Sequence, residues 1–198
     1  MAINSHCSFE LPAWVEPFLA DWLTPLSSNS ERMQLAIALS RESVLQKTGG
    51  PFGAVVLREQ TGELVSAGIN LVTTAGLSIA HAEMVALSLA QLSMGQWNLS
   101  HSGPMQLVTS CEPCAMCFGA LPWSGISSLV CGARKQDAEA AGFDEGDKPG
   151  QWVRSLQRRG NEVERGVLRS EAAKVLAYYS DNGGQIYNAS RDHEKDPL

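Results

Sequence analysis

At 198 residues, 44% of them hydrophobic and 18% charged, the chain is long enough to bury a core of its own and is too apolar for a disordered polymer. The formal net charge of −6 gives an average field that repels a polyanion such as tRNA and suits a small, nearly uncharged substrate. No run is long and apolar enough to span a bilayer. Glu10, Pro12, Glu16 and Pro17 break up any signal-peptide pattern, so a cytoplasmic protein without a membrane partner is expected.

In chain order, residues 1–29 read as an irregular extension whose apolar stretch from Leu11 to Leu26 packs against the body. Ser28 or Ser30 caps a helix over 31–47, where Met33, Ile37, Ser40 and Val44 follow helical spacing, and Gly49-Gly50 stops it. Segments 54–58 and 63–70 form a hairpin around Gln60-Thr61-Gly62. A flexible stretch over 73–78 leads to a buried helix over 81–94. A strand at 105–110, a helix at 113–121, a strand at 127–131 and a loop over 135–150 follow. Helices near 151–159 and 171–179 come next, and Ser190–Leu198 is a polar, frayed tail. Helices alternating with strands predict an α/β protein with helices on both faces of a sheet, and the opening hairpin makes that sheet mixed. The organisation expected is one domain over 1–198, with the extension at 1–29, a catalytic core at 30–160 and a helical C-terminal segment and tail at 161–198.

The cysteines are Cys7, Cys111, Cys114, Cys117 and Cys131. An odd number, with three inside one heptapeptide, points to metal chemistry in a reducing compartment rather than to a disulfide framework. Two segments carry the chemistry: His81-Ala82-Glu83 and Pro113-Cys114-Ala115-Met116-Cys117, each at the start of a predicted helix. Cys114 and Cys117 project from one helix face, and Pro113 suits the first helical position. The positive helix end favours thiolates. With the His81 imidazole they make three ligands for a tetrahedral Zn²⁺ and leave a fourth position open for water, as a catalytic site requires; iron is the lesser alternative. Glu83, two residues from a ligand, is placed to move protons between water, a ring nitrogen and a departing amine. A closed structural site of His81, Cys111, Cys114 and Cys117 is the competing arrangement, but it gives Glu83 no task. Glu112 is read either as support for a ligand or as a first-turn acid. Cys7, Cys131, His101 and His193 sit outside ligand spacing.

The H-x-E and P-C-x-x-C segments resemble the cytidine/deoxycytidylate deaminase superfamily, whose signature they match. The resemblance runs from about Pro51 to Asp147 and implies a three-layer α/β/α sandwich around a central mixed sheet of about five strands. It also implies hydrolytic deamination of a nucleobase. Within the superfamily the chain is similar to bacterial guanine deaminases and, less so, to tRNA adenosine deaminases. The stretch from Asp137 to Glu145 resembles the guanine deaminase pattern, and Trp123 stands where those enzymes carry a tryptophan. Guanine to xanthine and ammonia is therefore the expected reaction. The alternatives are cytosine or cytidine, an aminotriazine such as ammeline, adenosine in tRNA or, in another class, a non-catalytic zinc-stabilised interaction module. A second acid would serve the ring N–H of guanine; Glu145 and Asp147 are the candidates, with Asp144 a third. Phe52 and Trp123 could sandwich the base, Asn70 offers an amide donor and acceptor to its edge, and Ala82 completes the expected substrate contacts. Arg154, Arg158, Arg159, Arg165 and Arg169 interleave with Glu162, Glu164 and Glu171, which reads as a mixed solvated face rather than a phosphate track. The resemblance further implies a homodimer whose C-terminal segments can exchange. Tyr178–Tyr187 would form a lid hinged at Asp181-Asn182-Gly183-Gly184.

Overall fold

The computed structural model describes residues 5–188. The polar tail from Ser190 and His193 lie outside the described residues. The extension is more ordered than its composition suggests: α1 (Val15–Leu19) and a 3-10 turn over Ala20–Trp22 bury Val15 against the body. Helix α2 (Asn29–Leu45) starts at Ser28, the earlier of the two candidate caps. There the Ser28 hydroxyl accepts from the Glu31 N–H and the Glu31 carboxylate accepts from the Ser28 N–H. It ends before the two glycines, because Lys47 itself adopts a positive φ of 54°. Gly49 has a different task. A Cβ there would sit 1.7 Å from the Asn70 carbonyl oxygen, so only glycine lets the chain pass against the end of the second strand.

The five-stranded sheet runs β2-β1-β3-β4-β5. Strand β1 (Gly53–Arg58) pairs antiparallel with both β2 (Leu64–Ile69) and β3 (Met105–Cys111), whereas β4 (Ser128–Ala133) and β5 (Glu162–Arg165) are added in parallel. Between the strands stand α3 (Val72–Ala75), α4 (Ala82–Met94), α5 (Ala115–Ser124), α6 (Lys135–Ala140) and α7 (Trp152–Gln157), and α8 (Arg169–Asp181) closes the order. Alternation along the strands divides the core. Val55, Leu57, Val108 and Val130 pack with Met33, Leu35 and Leu39 of α2, while Ala54, Val56, Leu107 and Leu129 pack with Ala82, Ala86, Leu121 and Leu156 on the other face. The result is the expected three-layer sandwich with a mixed five-stranded sheet.

Three expectations are corrected. The flexible stretch holds the short α3. The loop over 135–150 begins as α6, because the Asp137 carboxylate reaches back to accept the Arg134 N–H and starts the helix. Strand β5, in the segment from 161 onward expected to be helical, is the fifth strand. It is polar and mostly exposed, and its pairing with β4 rather than an apolar pattern defines it.

Candidate active site

The C-terminal ends of β3 and β4 meet the first turns of α4 and α5, the crevice where α/β sheets hold ligands. Gly68 sets the first of these helices: a Cβ there would lie 2.3 Å from the Ala82 carbonyl, so its absence lets the opening turn of α4 rest on β2. His81 is the N-cap of α4 and Glu83 lies in its first turn, buried at 6% exposure. Cys114 is the N-cap of α5, which corrects the placement of Pro113 at the first helical position. The two cysteines still share a face, now as N-cap and third helical residue. The first free N–H of α5, on Ala115, donates to the Glu145 carbonyl at 2.9 Å, which ties the acidic loop to the ligand helix.

The ligand atoms of His81, Cys114 and Cys117 lie within 4.8 Å of one another, with His81 Nδ1 3.5 Å from Cys114 Sγ. Two soft sulfurs and one imidazole converging at that spacing fit zinc, and Cys111 is not part of the group. Cys111 is instead a buried thiol whose Sγ–H points to the Arg134 carbonyl, and burial pushes it well above the ordinary thiol range. The hydrogen bond from Cys117 draws Cys114 down to about 4, and the same bond raises Cys117.

A small cavity of about 70 Å³ opens beside these ligands, lined by Phe52, His81, Glu83, Cys114, Phe143 and Glu145. Glu112, Asp144, Tyr187 and Asn188 complete its wall. Burial, reinforced by the Cys114 thiolate and opposed by His81, raises Glu83 to about 7. Burial and then Cys114 and Glu83 raise Glu145 to about 8, with Lys148 acting against them. A dication at the ligands opposes the rise in both carboxyls.

Of the three candidate acids the geometry singles out one. Glu145 is 5% exposed and its Oε2 is buried without a hydrogen-bond partner. Asp144 stands exposed at the rim, its Oδ1 taken by the Gly146 N–H at 2.9 Å. Asp147 is exposed and lies outside the cavity lining. Phe52 lines the cavity and meets Phe143 edge-on at 4.9 Å. Asn70 is buried at the end of β2, where its Oδ1 accepts the Val72 N–H, and Ala82 is buried in the first turn of α4. Trp123 is not brought to the cavity of its own chain: it is 78% exposed on the outer face of α5. Glu112 does not act as a first-turn acid. It precedes the helix, and its buried carboxylate is held by Arg165. Cys131 is buried in β4, while Cys7 and His101 are exposed, away from the ligands.

Tyr187 and Asn188 line the cavity of their own chain. Asn188 accepts from Asp144 N–H and donates to the Gly142 carbonyl, clipping the acidic loop. Tyr187, with its hydroxyl buried and unpartnered, faces His81 at 6.4 Å between ring centroids. Asn188 and the contact of Phe143 with Phe52 went unread in the sequence, and only an aromatic and an amide in an otherwise polar C-terminus could have signalled that segment.

Residues 26–133 match the family model described as the cytidine and deoxycytidylate deaminase zinc-binding region. The chain belongs to this family. It is 39% identical over 113 residues to the guanine deaminase of Bacillus subtilis, covering 57% of this chain and 69% of that one. It is 30% identical over 152 residues to a tRNA-specific adenosine deaminase of Streptococcus pyogenes, covering 76% and 89%. Among solved structures, the guanine deaminase of Nitrosomonas europaea superposes with a TM-score of 0.82 at 41% identity over 91% of this chain and all of that one. A further neighbour, solved in complex with 2,6-diaminopurine, gives 0.84 at 43% over 95% of this chain. The deaminase is thus a zinc-dependent hydrolase acting on a nucleobase. Among the described residues no helix is long and apolar enough to cross a membrane.

Proposed function

We propose that the deaminase hydrolyses guanine to xanthine and ammonia. The observation that carries this reading is the second buried carboxyl, Glu145, which stands in the cavity with Glu83 and has an oxygen without a partner. Adenine and cytosine present a bare ring nitrogen beside the amino-bearing carbon, and one carboxyl can serve it. Guanine has such a nitrogen on one side of C2 and an N–H on the other, so it suits a site with two.

His81, Cys114 and Cys117 hold the zinc, which when bound activates water for attack on C2. Glu83 would take one proton from that water and deliver it to the ring nitrogen, then take the remaining proton of the added hydroxyl and pass it to the departing amine. Glu145 accepts the ring N–H and orients the base; Asn70, buried beyond the cavity lining, would have to turn its free amide N–H group towards the base edge to meet it. Phe52 and Phe143, packed edge-on against each other, form one aromatic wall beside the ring, while Tyr187 and Asn188 exclude water. The small covered cavity favours a free base over a nucleoside or a nucleic acid. Two of the C-terminal arginines are already engaged, Arg165 with Glu112 and Arg169 with Asp137, which further weakens a phosphate track.

The acting form in this reading is a homodimer in a reducing cytoplasm. Its support is the exposed large apolar side chains, Met116 and Trp123 on α5, Leu92 on α4 and Trp97 just after it, surface of the kind a second copy covers. The one-domain organisation, with the core at 30–160, is kept as part of the proposal. The test is ammonia release by zinc-loaded protein from guanine, guanosine, cytosine, cytidine, adenine, ammeline and a tRNA anticodon stem. Guanine is expected to react and guanosine to be rejected. Reaction of a pyrimidine or the stem alone would overturn the substrate, and no release from any would favour the interaction module.

A further inference from the structure

The turn Glu112-Pro113-Cys114, which delivers the first thiolate to α5, is gripped from outside the site. The Glu112 carboxylate is buried and accepts from Arg165 Nε at 2.6 Å and Arg165 Nη2 at 2.5 Å, both on Oε1. Its Oε2 accepts the Lys135 N–H at 3.2 Å, and Arg134 Nη1 stands 3.6 Å from Oε1. The next carbonyl, of Pro113, accepts from Lys148 Nζ at 2.5 Å. These two cations share one platform: Lys148 Nζ lies 4.4 Å and the Arg165 guanidinium carbon 5.2 Å from the centroid of the Trp152 ring.

We propose that Lys148, Arg165 and the Trp152 indole form a clamp that positions the Cys114 turn and with it the metal-ligand set. None of the three lines the cavity, so each acts through the turn and is a positioning residue. The clamp has a reason to exist. The α5 N-terminus carries no side-chain cap, and the turn has to hold two thiolates within reach of an imidazole on another helix. Arg165 is fixed by β5 and Trp152 by α7, so both elements of the second parallel crossover bear on the ligand turn. Lys148 closes the acidic loop three residues after Glu145, and its bond to Pro113 joins that loop to the turn a second time, beside the Ala115 N–H to Glu145 carbonyl bond. Groups that orient metal ligands typically change metal affinity ten- to a hundredfold when removed.

The experiment compares zinc dissociation to a chromophoric chelator, the thiolate-to-metal absorption band of the cobalt-substituted protein, and the melting temperature. The parent is set against Lys148→Met, Arg165→Met, Lys148→Arg and, as a control, Arg169→Met. Both Lys148→Met and Arg165→Met are expected to release zinc about ten- to a hundredfold faster and to shift the cobalt band. Lys148→Arg, which keeps charge, donor and ring contact, is expected to stay within about threefold of the parent, and Arg169→Met to be unchanged. Folded Lys148→Met and Arg165→Met proteins with parental zinc release and an unshifted cobalt band would overturn the clamp, whatever their melting temperatures. If Lys148→Met does not fold, Lys148→Gln carries the same two outcomes. Guanine turnover enters none of these readouts, so a failure of the substrate assignment leaves this test standing.

Discussion

The two ends of the sheet bury polar groups in opposite ways. At the end away from the site, Arg32 is 6% exposed and spends its guanidinium on the Leu26 carbonyl, the Glu59 carbonyl and Gln106 Oε1. Gln106 in turn donates to Ser128 Oγ, and Ser127 Oγ bonds to Glu59. Every link there is between fixed protein groups. At the other end, Glu145 Oε2 and the Tyr187 hydroxyl are buried with no partner among the described residues, although burying such a group unpaired costs about 1–3 kcal/mol. A buried network with all its bonds made specifies a structure. One with bonds left open, facing a cavity beside three metal ligands, is prepared for something that comes and goes.

The largest effects should break the site and spare the fold. Glu83→Gln is expected to keep its zinc and lose about 10⁴-fold in guanine turnover, because one group carries every proton transfer. Metal analysis alongside ammonia release checks this, and a variant with near-parental turnover would remove Glu83 from the mechanism. Glu145→Gln is expected to lose about 10²-fold with zinc retained, whereas Asp147→Asn stays within about threefold. Equal losses at 145 and 147 would show that the loop acts by its charge and not by one placed carboxyl.

The opposite end should respond the other way round. Arg32→Met leaves two carbonyls and an amide oxygen without their donor and is expected to cost about 3 kcal/mol in denaturant unfolding, with kcat within about twofold of the parent. A collapse of kcat at unchanged stability would mean that the two ends are coupled through the sheet.

The same contrast explains how far the sequence could be read. The grouping of His81, Cys114 and Cys117 with the buried Glu83 is legible because it follows from residue type and local spacing, which survives even when α4 starts one residue and α5 two residues later than expected. Strands β1 and β3 are legible as short, largely apolar runs, since both of their faces are packed. What was not legible depends on partners distant in the chain. Glu162-Val163-Glu164-Arg165 has no apolar pattern and becomes a strand only because β4 offers an edge. Glu145 is buried where Asp144 and Asp147 are exposed, in a loop tied down by a backbone bond from Ala115, thirty residues earlier in the sequence. Trp123, expected against the base, stands 78% exposed on α5 instead, and local spacing alone could not say which face of that helix turns to the cavity.

A last comparison sets two carboxylate–arginine pairs against each other. Glu112 with Arg165 is buried on the acid side. Asp137 accepts from Arg169 Nε at 2.8 Å and Nη2 at 2.9 Å near the surface, and from the Arg134 N–H at the start of α6. The Arg169 hydrogen bond, only partly offset by burial, holds the Asp137 carboxyl below its ordinary range. Folding therefore favours the ionised form. Its contribution is complete above the unfolded pKa of about 3.9 and is lost as pH falls through the lower folded value. The melting-temperature gap between the parent and Asp137→Asn is expected to be small, steady at neutral pH, narrower in high salt, and to close below about pH 4. If the gap persisted at acid pH, the Arg134 N–H bond that starts α6, rather than the charge pair, would be what Asp137 contributes. The exposed pair would then be a helix cap with an arginine beside it, while the buried pair remains the one that bears on the chemistry.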